Sequence, residues 1–138
     1  MTDVSLGNHT AVFAAKSDQG RIREFYCGVL GCLVRVASDD VDRFQLADTH
    51  FCFVYQDAAL SEDDFLTSTY LELKSANVAQ TREKILRFGV RQLDLPDSHL
   101  YFQAPGGQVF RVVGLDEDLS IYEGSMVTSP QQAPAAAG

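Results

Sequence analysis

The chain repeats one pattern of elements twice, and this internal repeat restricts the possible folds more than any other feature. A shift of 58 positions superposes residues of the same type at five places: Gly31 on Gly89, Asp39 on Asp97, Phe44 on Phe102, Gln45 on Gln103 and Val54 on Val112. The order of predicted elements also agrees at this offset, so we expect two copies of one structural unit.

The first half predicts a strand, a helix and three more strands. Residues 10–16 are apolar between polar flanks, which indicates a buried strand. Ser17 and Asp18 can cap a helix, apolar residues then recur at helical spacing, and Gly31 can end that helix. Three strand-like segments separated by Asp-rich turns follow, at residues 32–37, 42–46 and 50–56.

The second half repeats this order after a polar linker. The linker is predicted at residues 57–68, and Asn77 and Gly89 delimit a helix. Strands are predicted on either side of that helix, at residues 69–74, 90–95, 99–104 and 108–114. We therefore predict one domain over residues 1–122 with units at 9–56 and 69–114, a short element at 119–122, and a flexible tail at 123–138.

Composition excludes several classes of partner. The net charge of −8 disfavours nucleic acid and anionic membranes, which both attract basic surfaces. No apolar run approaches the roughly 18 residues of a membrane span, and the N-terminus has no secretory pattern. Three cysteines, Cys27, Cys32 and Cys52, suggest free thiols in a reducing compartment. We expect a cytoplasmic protein.

Two segments resemble motifs of the vicinal-oxygen-chelate superfamily, which includes glyoxalases, bleomycin-resistance proteins and extradiol dioxygenases. The first is Arg23-Glu24-Phe25-Tyr26 with Val29-Leu30-Gly31, and the second runs from Ala104-Pro105-Gly106-Gly107 to Arg111. The resemblance covers about residues 10–114. It implies an α+β fold in which two βαβββ units form a curved mixed sheet around a cleft, with helices on the outer face. It also implies a homodimer, often with exchange of units between chains.

The resemblance further implies four metal-ligand positions on the concave face, in the first and last strand of each unit. Carried onto this chain, they fall on Ala11, Phe53, Tyr70 and Arg111. These side chains do not suit a divalent metal, so we expect no metal and no other cofactor. The alternative is a rearranged divalent-metal site at His9 and Glu72. If there is no such site, Glu72 is expected to form an ion pair with Arg111 or Lys74. His50 and His99 are expected at the surface.

Strand alternation assigns side chains to the two faces of each sheet. The concave set is predicted to be His9, Ala11, Phe13, Phe51, Phe53, Tyr55, Tyr70, Glu72, Lys74, Arg111 and Val113, and the opposite set to pack under the helices. This mixture of aromatic and charged groups is typical of a small-molecule pocket. The predicted ligand-binding residues are Phe13, Phe53, Tyr55, Tyr70, Glu72 and Arg111. Alternatively, the aromatic residues fill a closed cleft or form a dimer interface.

Three functions remain open at this point. The leading hypothesis is a metal-free protein that binds a small organic molecule and sequesters a drug or metabolite. The second is a metal-dependent lyase, isomerase or dioxygenase with a rearranged site, or a metal-free enzyme in which Glu72 is the base and Arg111 holds an anion. The third is a non-catalytic regulatory partner.

Overall fold

The computed structural model describes residues 3–124. The first unit consists of β1 (His9–Ala14), a 3-10 turn (Lys16–Asp18), α1 (Gln19–Arg23), β2 (Leu33–Ala37), β3 (Val41–Leu46) and β4 (Thr49–Tyr55). The second consists of β5 (Tyr70–Ser75), α3 (Val78–Phe88), β6 (Arg91–Leu93), β7 (Leu100–Gln103) and β8 (Val109–Gly114), followed by a 3-10 turn (Ser120–Tyr122). A short helix, α2 (Glu62–Phe65), lies in the linker.

Each unit forms one four-stranded mixed sheet, so the predicted pair of βαβββ units is confirmed. The strand orders are β1-β4-β3-β2 and β5-β8-β7-β6. In both sheets the first strand pairs in parallel with the last, and the remaining pairs are antiparallel. The three consecutive strands after each helix form hairpins, whereas the two parallel partners are joined through the helix and the two intervening strands.

The helix boundaries follow the predicted signals in the second unit more closely than in the first. The Asn77 side chain accepts a hydrogen bond of 3.1 Å from the Gln80 amide and caps α3, while Gly89, at φ 93°, ends it. Gly31 likewise adopts φ 80°. Neither Ser17 nor Asp18 caps α1, however, because the chain enters that helix through the 3-10 turn. Ser61 caps α2 in the segment predicted as a linker.

A π-helical segment (Glu24–Val29) continues α1 and buries two consecutive aromatic rings. The Leu30 amide donates to the Phe25 carbonyl five residues earlier, at 3.0 Å, as expected for a π turn. Phe25 and Tyr26 are both fully buried. This wider turn therefore lets adjacent side chains contribute to one core.

The two sheets share one hydrophobic core, formed by the face of each sheet that packs against the helices. We call this side the helix face. Tyr26 contacts Phe51 of the first sheet at 5.5 Å and Phe110 of the second at 6.2 Å, measured between ring centroids. Phe25 contacts Phe102 at 5.7 Å. Each of these buried aromatic side chains contributes roughly 1.5–3 kcal/mol through removal from water.

The two β-hairpins that precede the last strands differ in length by one residue. Leu46 pairs with Thr49, which leaves a two-residue turn in the first unit. In the second unit Ala104 accompanies Gln108 through a 2.8 Å backbone hydrogen bond, which leaves a three-residue turn. Phe44 pairs with Phe51 and Phe102 with Phe110, so the offset between units is 58 before the turn and 59 after it.

No helix in the described part of the chain is long and apolar enough to cross a membrane. The predicted flexible tail falls almost entirely outside residues 3–124.

Candidate functional site

The cleft face is defined here as the side of each sheet that points away from the helices. In the second sheet it carries alternate residues of the two parallel strands: Tyr70, Glu72 and Lys74 on β5, and Val109, Arg111 and Val113 on β8. Leu71 and Leu73 lie on the helix face beside Phe110 and Val112. The predicted facing of this unit is confirmed.

In the first sheet, the predicted facing of β4 is wrong. Phe51, Phe53 and Tyr55 are buried on the helix face, where Phe53 lies 4.7 Å from the Tyr26 ring. A one-residue change of register moves every side chain of a strand to the other face. The first hairpin is one residue shorter than the second, so the offset between the units is 59 residues in β4. The prediction used an offset of 58 there, which placed the β4 side chains on the wrong face.

The residues that occupy the cleft face of the first sheet come from β1 and β4. His9, Ala11 and Phe13 pair with His50, Cys52 and Val54. Glu72 pairs with Arg111 in the same arrangement, so the structural counterpart of Arg111 is Cys52 and not Phe53. Ala11 likewise corresponds to Glu72 and not to Tyr70.

Arg111 is the central charged group of the second cleft face. Its side chain is 6% exposed and forms an ion pair with Glu72, whose side chain is 32% exposed. The guanidinium lies 5.5 Å from the Tyr70 ring and 4.7 Å from the Tyr122 ring, as in cation–π contacts. The hydrogen bond to Glu72 raises the pKa of Arg111 further above its ordinary value, so the side chain is positively charged.

The Arg111 guanidinium has one polar group without a partner. Its Nε is buried and makes no hydrogen bond within residues 3–124. The Tyr101 hydroxyl lies 3.4 Å from Nη1 and donates to Asp97 at 2.9 Å. Burial opposes ionisation of Asp97, but hydrogen bonds from Tyr101 and the His99 amide outweigh it and hold the pKa of that carboxyl below its ordinary value.

His99 joins this cluster, contrary to the expected surface position. Its side chain is 12% exposed, and Nε2 lies 2.6 Å from Glu117 Oε2. Glu117 also accepts a hydrogen bond from the Gly114 amide at 2.9 Å, which lowers the pKa of its carboxyl together with the His99 contact. Asp97, Tyr101 and Glu117 were not among the predicted site residues. Alternation along β7 could have identified Tyr101, which shares a face with Arg111.

The C-terminal 3-10 turn covers part of the second cleft face. Tyr122 contacts Arg111 and lies 6.2 Å from the His99 ring. The short element expected at residues 119–122 is therefore present, and its aromatic ring shields the guanidinium from solvent.

On the first cleft face, two imidazole rings stack side by side. His9 and His50 are direct partners on β1 and β4, and their rings lie 4.7 Å apart with an interplanar angle of 10°. His50 is therefore a cleft-face residue, although it was expected merely at the surface. Phe13, on the same face, is 50% exposed. Tyr55, by contrast, donates from the helix face to Asp42 at 2.7 Å.

Four of the six predicted ligand-binding residues lie on a cleft face, and the other two are buried in the core. Tyr70, Glu72 and Arg111 lie together on the second cleft face, and Phe13 lies on the first. Phe53 and Tyr55 belong to the core. Within residues 3–124, no three His, Cys, Asp or Glu side chains are grouped so that they could hold a metal ion.

Solved structures with the same architecture come from resistance and glyoxalase-like proteins. The fosfomycin resistance protein FosX from Listeria monocytogenes superposes with a TM-score of 0.68 at 15% identity, over 85% of this chain and 94% of that one. A glyoxalase family protein from Bacillus anthracis gives 0.65 at 12% identity, over 83% and 98%. The antibiotic-binding protein TnmS3 from a Streptomyces species gives 0.60 at 16% identity, over 83% and 98%.

Neither a family model nor a curated protein matches the sequence. The fold likeness nevertheless spans most of every chain compared, and it includes both βαβββ units. The chain therefore has the paired βαβββ fold of the vicinal-oxygen-chelate superfamily.

Proposed function

We propose that this chain is a metal-free, small-molecule-binding protein of the glyoxalase/bleomycin-resistance type, which sequesters a drug or metabolite on its cleft face. The observation that carries the proposal is the ion pair of Arg111 with Glu72 at the centre of the second cleft face. A fixed positive charge repels a metal cation at this position. The surrounding Tyr70 and Tyr122 rings supply apolar surface for an organic ligand.

The donor set at the family's ligand positions does not fit a divalent metal. Ala11 has no donor, and Arg111 has no lone pair to offer a cation. Glu72, the structural counterpart of Ala11, already pairs with Arg111, and Cys52, the counterpart of Arg111, would be a single soft ligand. Tyr70, the position expected from spacing, has its ring against the Arg111 guanidinium. We therefore derive the function from binding and orientation by this chain's own side chains.

The structural neighbours support binding of small molecules as the general role. One is a fosfomycin resistance protein and another is an antibiotic-binding protein. Both resemble the chain in fold at 15–16% identity, which leaves the ligand to be determined by the side chains described above. Phe13, Tyr70, Glu72 and Arg111 are the proposed ligand-binding residues.

The decisive experiment combines metal analysis with a thermal-shift screen. Purified protein, dialysed and examined by mass spectrometry, is expected to contain no stoichiometric zinc, nickel, manganese or iron. Aromatic and cationic drug-like compounds are then screened, since a ligand that binds only the native state raises the melting temperature. A hit should be weakened by Tyr70→Ala, and not by Tyr122→Phe, which preserves the ring over Arg111.

A metal that survives dialysis at one equivalent would overturn the metal-free proposal. It would favour the alternative, a metal-dependent enzyme with a rearranged site at His9 and Glu72. The stack of His9 on His50 is the observation behind that alternative, because it places two imidazoles on one cleft face. His9→Ala and Glu72→Ala should then each abolish metal binding, while His99→Ala should not.

A further inference from the structure

A groove of about 630 Å³ runs between the β3–β4 hairpin of the first unit and β5 of the second. Because β5 is an edge strand, residues of both its faces border the groove. Its walls are the β3–β4 hairpin with the end of the first helix on one side, and β5 with α3 on the other. Of the residues proposed to bind a ligand on the cleft face, only Glu72 also borders this groove. The groove lies at the seam between the two halves of the chain.

The floor of the groove is apolar. Phe51, Phe110 and Ile85 are buried beneath it, and Leu71 and Leu73 on the edge strand β5 are half-buried along it. Helix-face leucines on an edge strand would normally be covered completely. Here they border an open space large enough for an alkyl chain or an aromatic ring system.

Two of the chain's three lysines, Lys74 and Lys84, line this groove. Neither forms an ion pair with any residue between positions 3 and 124, whereas the third lysine, Lys16, pairs with Asp39. Two unpaired ammonium groups beside one apolar surface are notable in a chain of net charge −8.

The acidic side chains that line the groove do not cancel this charge. Glu72 already pairs with Arg111. Asp48 lies on the β3–β4 hairpin, across from the wall formed by β5 and α3 that carries both lysines. The wall of β5 and α3 is therefore the positive side of the groove.

We propose that the groove is a second binding site, which takes an amphipathic organic anion with an alkyl or aryl body and one carboxylate. The body lies on Phe51, Leu73 and Phe110. The carboxylate lies against Lys74 and Lys84, where charge-assisted hydrogen bonds add to the burial of apolar surface.

Isothermal titration calorimetry with dodecanoate, below its micelle concentration, tests the proposal on the full chain. Dodecanoate should bind with a stoichiometry of one per chain, and dodecyltrimethylammonium, with the same tail and the opposite charge, should not bind. Lys74→Ala and Lys84→Ala should each weaken dodecanoate binding by about tenfold, since a hydrogen bond to a charged group contributes about that factor. Lys16→Ala is the matched control and should leave binding unchanged.

Three results would overturn the inference. They are absence of dodecanoate binding, equal binding of both detergents, and unchanged affinity in the Lys74→Ala/Lys84→Ala double variant. Tyr70→Ala separates this site from the cleft face. If that variant weakens dodecanoate binding as the lysine variants do, the anion occupies the cleft face instead and the second site does not exist.

Discussion

At the scale of single residues, Asp42 is the most consequential polar group outside the candidate site. Its carboxylate is fully buried, accepts two hydrogen bonds of 2.9 Å from Arg23, and accepts others from Tyr55 and Gln19. Burial opposes ionisation, but these donors outweigh it and hold the pKa of Asp42 below its ordinary 3.8. The network ties the first helix to β3 and β4.

Replacement of Asp42 by Asn should lower the free energy of unfolding by about 2–3 kcal/mol at neutral pH, because buried partners lose a charged acceptor. The depressed pKa means that the carboxylate stabilises the fold above pH 3.8 and loses this effect as the pH falls through its folded value. Urea titrations should therefore show a difference between wild type and Asp42→Asn that shrinks below that pH. Asp39→Asn, whose side chain is fully exposed, should change little at any pH.

Substitution of Tyr26, in contrast to that of Asp42, should raise the free energy of unfolding. Its side chain is fully buried, and its hydroxyl finds no hydrogen-bond partner within residues 3–124. Removal of a buried, unsatisfied hydroxyl relieves a desolvation cost, so Tyr26→Phe should raise the free energy of unfolding by about 1 kcal/mol. Tyr55→Phe is the matched control and should lower it, because that hydroxyl bonds to Asp42. A destabilised Tyr26→Phe variant would show that the hydroxyl has a partner in solution.

At the scale of elements, periodicity and turn residues predicted almost every strand and helix, since each unit alternates buried and exposed positions along short segments. The face of β4 was not predictable from the repeat. A pattern with period two cannot reveal whether a hairpin has two or three turn residues, and one residue decides the face. Phe53 and Tyr55 were misplaced for this reason, whereas Tyr70, Glu72 and Arg111, whose facing did not depend on that offset, were placed correctly.

The long-range members of the site were also beyond local pattern. Glu117 reaches His99 across 18 positions, and Tyr122 reaches Arg111 by folding back over the sheet. Both contacts depend on the path of the chain after β8, which has no periodic signal. By contrast, the pairing of Glu72 with Arg111 was one of two pairings predicted for Glu72 from the sequence, because a partly buried charge needs a partner.

The three-residue turn of the second hairpin makes a prediction about Gly106. It adopts φ 90°, and a Cβ atom there would lie 2.7 Å from Ile22 Cδ1. Gly106→Ala should therefore lower the free energy of unfolding by about 2–3 kcal/mol, from backbone strain and overpacking together. In thermal unfolding, the double variant Gly106→Ala/Ile22→Val should regain only the part of the lost stability that comes from overpacking.

Gly20 is the matched control for that experiment. It lies in α1, and an added Cβ atom would meet nothing within 4 Å. Gly20→Ala should raise stability by about 0.5–1 kcal/mol, because alanine is the better helix former. If both glycine variants were equally destabilised, the close approach of Gly106 to the first helix would not explain the result.

At the scale of the whole molecule, the positions of the two cleft faces indicate that a cleft between them requires a second copy of the chain. The sheets pack together through their helix faces, since Phe51 of one lies 6.2 Å from Phe110 of the other. Their cleft faces consequently point away from each other within one chain. A cleft lined by the first and the second sheet therefore requires two chains. The first unit of one chain would face the second unit of the other, in a symmetric dimer.

The surface of the first sheet is suited to such a partner. Its cleft face carries Phe13 on the edge strand β1 and Leu33 and Val36 on the opposite edge strand β2, and these side chains are 50%, 62% and 43% exposed. Large apolar side chains exposed at both edges of one sheet face are the kind that a partner covers. We therefore expect the protein to form a homodimer in which these residues are covered.

Phe13→Asp should convert that dimer to a monomer, because a carboxylate within the interface would be buried without a partner. Sedimentation velocity at micromolar concentration should show the wild type as a dimer and Phe13→Asp as a folded monomer with an unchanged circular dichroism spectrum. Leu6→Asp, at a residue that is 99% exposed near the N-terminus, should remain dimeric. If Phe13→Asp also remains dimeric, the copies do not meet through the cleft face of the first sheet, and each cleft face would have to bind its ligand alone.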